Sequence, residues 1–207
     1  MPDTRSRSER RRSDRLRRLA TRYVENGWPV ARLAVPRANT CTCGLPSCPE
    51  PHLLQDTPAL LTTRSDVEVA FVDDRWAIAL ATRSFEVLEV PAQYGAPLHH
   101  QLKAACPTAL APATRTWQFY LARGSVPAGL ADAAGGRLVT GPVGWVASPG
   151  TRTESTGTIR WLVHPYLTKW QAYHRHDAID IVFSTVDWSA SEAPTSSLPR
   201  IVDDLLG

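Results

Sequence analysis

Three cysteines and a histidine fall within twelve residues, as Cys41-x-Cys43-x4-Cys48-x3-His52. No other feature restricts the fold of this chain as tightly. Pro46, Pro49 and Pro51 share the segment with Gly44. Each proline removes a backbone donor, so neither a helix interior nor a central strand can run through it. Such a loop has little other means of holding its shape. Three thiolates and one imidazole match the tetrahedral preference of Zn²⁺, and the ion would replace a hydrophobic core locally. With all four positions filled by the chain, no position remains for water, so the metal expected here is structural. Two other readings stay open: a flexible loop with unrelated free thiols, and a redox thiol switch. The fourth cysteine, Cys106, sits beside Pro107 and reads as a small apolar core residue. Clustered cysteines without the apolar stretch of an export signal favour metal over disulfides, and a cytoplasmic setting is expected.

Charge is the second constraint. The chain has 207 residues, enough for one sizeable core or two small domains, and a net charge of +3. No apolar run approaches the roughly 18–20 residues of a membrane helix, so no membrane association is expected. Residues 1–22 carry nine arginines against Asp3, Glu9 and Asp14, a net +6, which leaves −3 on the rest. Arginines clustered at a chain end attract phosphate and release counterions. Arg10, Arg11, Arg12, Arg15, Arg17 and Arg18 are therefore the candidate nucleic-acid contacts. A solvated helix extension is the plainer reading. An anionic membrane surface is the weakest, since the polar face has no Trp or Phe partners.

Periodicity predicts an α+β chain with mixed or antiparallel sheets. Residues 1–14 form a basic arm, disordered or fraying from the next helix, and 15–188 form the main domain with the 41–52 zinc loop inserted. Residues 189–197 are a linker, and 198–207 a short amphipathic tail that could dock in a partner's groove. Leu16, Leu19, Ala20 and Tyr23 fall on one helix face, closed by Asn26-Gly27. A strand follows over Trp28–Leu33, residues 36–58 read as loop, and Arg64–Asp73 as a short helix capped by Thr63 or Ser65. Trp76–Ala81 and Phe85–Val90 are separated by three residues, which predicts a hairpin. Residues 94–105 read as helix and Trp117–Leu121 as a strand. Arg137–Val139 and Gly144–Ala147 read as a strand pair, with further strands at Ile159–Val163 and Ala178–Ser184.

The order of these segments resembles the N-terminal primase-polymerase (prim-pol) domain of bifunctional DNA primase/polymerases, in the archaeo-eukaryotic primase superfamily. The matching residues are Ala20-x-x-Tyr23 with Gly27-Trp28-Pro29-Val30, and the Cys41-x-Cys43-Gly44 loop with Cys48 and His52, which is similar to the loop of the actinobacterial branch. Trp76–Leu80, Phe85–Val90 and Thr116–Leu121 stand where the family has three of its core strands. Gly144–Gly150 and Gly157-x-x-x-Trp161 stand where it has its later motifs. The resemblance covers residues 16–163 and implies a prim-pol-like fold with flanking helices and a small zinc loop.

It also implies where catalysis should sit, and there the sequence departs. Nucleotide transfer needs carboxylates holding two divalent metals. The family's paired acids map onto Glu89 and Pro91, so one is lost, and its histidine maps onto Gln118, which carries no charge. No Asp or Glu lies between Gly135 and Gly144, where the third acid belongs. Glu86 does not compensate, since residues three apart on a strand face opposite ways. The expectation is a non-catalytic prim-pol-like protein that binds nucleic acid through the arginine arm, or a protein partner through its tail. The alternative is an active primase/polymerase using Mg or Mn, with carboxylates such as Asp177 or Asp180 refilling the site. A second alternative is an unrelated cytoplasmic zinc-loop regulatory protein. His164, His174 and His176 offer no defined third ligand, and Trp145 with Trp161 could form a base-stacking platform. No P-loop, G-x-S-x-G or H-E-x-x-H motif occurs.

Overall fold

The amphipathic pattern at Leu16–Tyr23 builds helix α1 (Arg7–Glu25), whose Leu16, Leu19, Ala20 and Tyr23 pack into the core. In the computed structural model, residues 6–37, 40–46, 48–54, 60–72, 75–127, 129–153 and 156–173 are described. The helix therefore starts within the basic segment rather than after residue 14. Residues 7–14 are its extension, and the buried Ser13 anchors them by donating hydrogen bonds to the carbonyls of Phe71 (3.3 Å) and Val72 (3.1 Å).

Strand β1 (Val30–Ala34) follows, then a two-stranded ribbon, β2 (Pro36–Arg37) with β3 (Thr40–Cys41), and β4 (His52–Leu53). The 36–58 segment thus contains three short strands where only loop is expected. Helix α2 (Arg64–Ala70) opens with a capping box: Asp66 N–H donates to Thr63 Oγ1 (3.2 Å), and Thr63 N–H donates to the Asp66 carboxylate (2.9 Å). Its Val67 is buried against α1's side of the core.

β5 (Ala77–Ala81) and β6 (Glu86–Pro91) do not form the expected hairpin. β5 joins β10 (Trp145–Ala147), β1 and β4 in a four-stranded sheet of order β10-β5-β1-β4. β6 joins β7 (Thr108–Ala111), β8 (Thr116–Leu121), β9 (Arg137–Val139) and β13 (Arg160–Val163) in a five-stranded sheet of order β13-β7-β8-β6-β9. The expected pairing of 137–139 with 144–147 fails for the same reason: β9 borders β6 while β10 borders β5. The hairpin that does form is β7–β8, and β7 has no strong sequence signal. A last ribbon joins β11 (Arg152–Thr153) to β12 (Gly157–Thr158). All these ladders are antiparallel.

The main core lies between the two sheets. Val30, Ile78, Leu80 and Val146 from one meet Val87, Ala109 and Tyr120 from the other, with α1 and α2 packed against them. Trp28 sits among aromatic rings here, with centroids 4.6 Å from Phe85 and 5.4 Å from Tyr120. On the far side of the five-stranded sheet, helices α3 (Ala92–Leu102) and α4 (Leu130–Ala133) bury a second core around Leu88, Val90, Phe119 and Leu121. The buried Cys106 has its thiol pushed up to about 12 by desolvation, as an apolar core thiol should. No described helix is long and apolar enough to cross a membrane. The strand expected at 178–184, the linker, the tail, and His174, His176, Asp177 and Asp180 lie outside the described residues.

Candidate functional site

The β2–β3 ribbon and β4 bring the cysteine loop together. β4 is held to β1 by the register Ala34 opposite His52. Cys41 ends β3. Cys41 N–H donates to Leu45 O (3.0 Å) and Gly44 N–H donates to Cys41 O (2.9 Å), which folds the chain back on itself. Gly44 closes this turn at φ +93°, a conformation that side chains disfavour.

Cys41 Sγ, Cys43 Sγ, Cys48 Sγ and a His52 ring nitrogen all lie within 4.8 Å of one another. Cys43 Sγ is 3.5 Å from Cys48 Sγ, and Cys48 Sγ is 3.9 Å from His52 Nε2. A tetrahedral Zn²⁺ with ordinary bond lengths sets its ligand atoms about 3.6–3.8 Å apart. The cluster is therefore already near the size such an ion needs. His52 Nδ1 lies 3.1 Å from Glu50 O. A proton on Nδ1 satisfies that carbonyl and leaves the Nε2 lone pair aimed at the thiols, the usual orientation of a metal-bound histidine. Hydrogen bonding, first from the Leu45 backbone, lowers the Cys43 thiol to about 7. Desolvation, followed by its thiol neighbours, raises Cys48 to about 12. Crowded thiols cannot all ionise beside one another without a cation. The four residues could hold a metal. Among the described residues, no other group of three or more His, Cys, Asp or Glu side chains is close enough to share one.

The cysteine loop also forms a wall of a cleft of about 860 Å³ between the two sheets, through Pro49, Glu50 and Pro51. Glu89, Pro91 and Gln118 line the same cleft. Glu89 on β6 stands directly opposite Gln118 on β8 and, on its other flank, opposite Arg137 on β9. Tyr120 Oη donates to Gln118 Oε1 (3.3 Å), and Gln118 Nε2 donates to Glu89 Oε1 (2.8 Å). Arg137 Nε donates to Glu89 Oε2 in an ion pair. Burial, with the Glu89 charge nearby, holds the Tyr120 hydroxyl well above its ordinary range, so it stays a neutral donor. Both oxygens of Glu89 are thus engaged, and its charge is matched by a guanidinium.

Glu86 faces away, as its spacing from Glu89 implies, and accepts from Gly124 N–H (3.0 Å) and Val126 N–H (2.9 Å). It holds a turn. Trp145 lines the cleft, whereas Trp161 packs on Tyr120 with centroids 4.9 Å apart, so the two do not form one platform. His164 Nδ1 accepts from Tyr166 N–H (3.2 Å) and caps a turn. Arg12, Arg15 and Arg18 lie on α1, away from the cleft lining.

Sequence reasoning missed Arg137. Its only local signal is that β9 carries an arginine where the resemblance implies an acid nearby. Compared with known proteins, the chain matches no family model, no curated protein and no solved structure.

Proposed function

We propose that this chain is a non-catalytic prim-pol-like protein that binds nucleic acid, with a structural zinc at Cys41, Cys43, Cys48 and His52. The observation that carries the reading is the Glu89–Arg137 ion pair. Glu89 and Gln118 face one cleft from adjacent strands, as the resemblance implies for the position of a polymerase centre. A divalent ion that activates a hydroxyl needs several hard oxygen ligands. Among the described residues two carboxylates line the cleft, Glu50 and Glu89, too few for a two-metal centre, and a fixed cation already neutralises Glu89. Arg137 stands in for the charge of a metal without its Lewis acidity. The zinc supports the fold in this reading: its four ligands come from the chain, and its loop walls the cleft.

Calorimetric titration of the zinc-loaded protein with Mg²⁺ or Mn²⁺ tests this. No binding that depends on Glu89 is expected. Millimolar or tighter binding that Glu89→Gln abolishes would restore the active-enzyme alternative. Purified protein should carry about one equivalent of zinc, and less than about half would count against the structural metal.

A further inference from the structure

From Arg12 onward the arginines of α1 do not project from the molecule as a separate arm. Arg15 lies where three hollows meet. The largest, about 680 Å³, is lined by Arg12 and Arg15 from α1 and by Arg75 and Arg152 from the body. A second joins Arg15, Arg18 and Arg22 to Arg160 and the rim of Trp161. The third continues along the helix to Arg7 and Arg11. No carboxylate is among the described residues lining these three hollows.

We propose that this continuous groove, between α1 and the β11–β12 ribbon, binds the sugar-phosphate backbone of a nucleic acid without reading its sequence. This rests on the nucleic-acid reading above and deepens it, because it moves the interface from a tail to a built surface in which the body takes part.

Asp14, Glu25 and Glu68 line a further hollow beside α1, which shares Arg18 and Arg22 with the groove; there Asp14 pairs with Arg17 and Glu68 with Arg64. Arg11, Arg15, Arg18 and Arg22 follow an i, i+4, i+7, i+11 spacing, which sets them in one stripe about 16 Å long. At 3.4 Å per nucleotide along one strand of a duplex, that length faces about five phosphates.

One body arginine of the groove, Arg75, is held in place. Its guanidinium carbon lies 5.3 Å from the centroid of the Trp76 ring, a contact that orders it before any ligand arrives. Gly150, at φ +96°, turns the chain beside Leu19 of α1, just before the ribbon begins. Arg152, two residues on, lines the same hollow as Arg12 and Arg15.

An anionic bilayer fits less well, because the apolar face of α1 is already committed to the core through Leu16, Leu19, Ala20 and Tyr23.

The test uses the full-length zinc-loaded protein and fluorescent single-stranded and duplex oligonucleotides, read by anisotropy at two salt concentrations. The variants are Arg152→Glu/Arg160→Glu in the body and Arg11→Glu/Arg15→Glu on the helix, with Arg83→Glu outside the groove as control. Thermal melting checks that each is folded. Each double variant should weaken binding at least about tenfold and reduce the salt slope by about 1.8, the value for two lost phosphate contacts. Arg83→Glu should change neither. Binding that survives Arg152→Glu/Arg160→Glu unchanged overturns the groove while sparing the wider nucleic-acid reading. No binding of either oligonucleotide overturns both. Equal binding of polyglutamate or of phosphatidylserine vesicles would assign the surface to an acidic chain or a membrane and overturn the proposal.

Discussion

Glu89 and Arg137 face each other across β6 and β9, and their side chains form an ion pair at the floor of the cleft. The carboxylate is 8% exposed and the guanidinium 70%, so the two ends of the pair have unequal needs. Arg137 is open to water; Glu89 is nearly closed off from it. Removing the arginine leaves a nearly buried charge with only Gln118 as partner. Arg137→Ala should therefore destabilise by about 1–2 kcal/mol, moderated because the pair is screened from the arginine side. Glu89→Gln/Arg137→Ala, which removes both charges, should recover part of that loss. Denaturant unfolding measures both. A double variant less stable than Arg137→Ala would show that the pair does not set the carboxylate's environment.

The thiols give a labelling order. In chelator-treated protein at pH 7, Cys43, lowered to about 7, ionises more readily than Cys48 and Cys106, which are raised to about 12. Alkylation followed by peptide mass spectrometry should modify Cys43 well before Cys48 and Cys106. Zinc should protect Cys43 and Cys48 and leave the buried Cys106 unchanged.

Metal affinity should rise with pH. Zinc binds thiolates, so the free loop must lose protons to take it up, Cys48 above all. Competition with a chromophoric chelator should show weaker binding at pH 6 than at pH 8. Cys48→Ser should lower affinity by at least about tenfold, while Cys106→Ala should leave the stoichiometry intact.

Alkali should act through the buried thiol in the opposite sense. Cys106 ionises near 8.5 in an unfolded chain but only at about 12 when folded. Between these values the unfolded state holds fewer protons, so stability falls as pH rises. Cys106→Ala should be less stable at neutral pH but flatter in its decline from pH 8.5 to 11, as read by denaturant midpoints.

Gly136 sets how closely β9 can approach β6. A Cβ there would lie 2.1 Å from the Glu89 carbonyl oxygen, backbone that cannot give way. Gly136→Ala should cost about 2–3 kcal/mol and loosen the Glu89–Arg137 pair. Thermal unfolding checks the first effect.

What could be read from sequence was local. The metal set was visible because its ligands lie in one loop, and α2 because Thr63 and Asp66 cap it within four residues. Pairing was not visible. β5 and β6 have strand length and a three-residue connection, yet that connection passes from one sheet to the other. Arg137 escaped notice because its partner is forty-eight residues away in sequence and meets it only through sheet register. The arginine segment was read as an arm because its own residues bury little. Its docking depends on Ser13 reaching α2 and on Leu19 meeting Gly150, contacts no local pattern announces.

The central proposal is that the cleft does not support nucleotide transfer. Template-dependent nucleotide incorporation by the zinc-loaded full-length protein, supplied with Mg²⁺ or Mn²⁺, a primed or unprimed template and all four nucleotides, tests it most directly. The account predicts no incorporation above a metal-free control. Incorporation that requires the divalent ion and disappears in Glu89→Ala would contradict it.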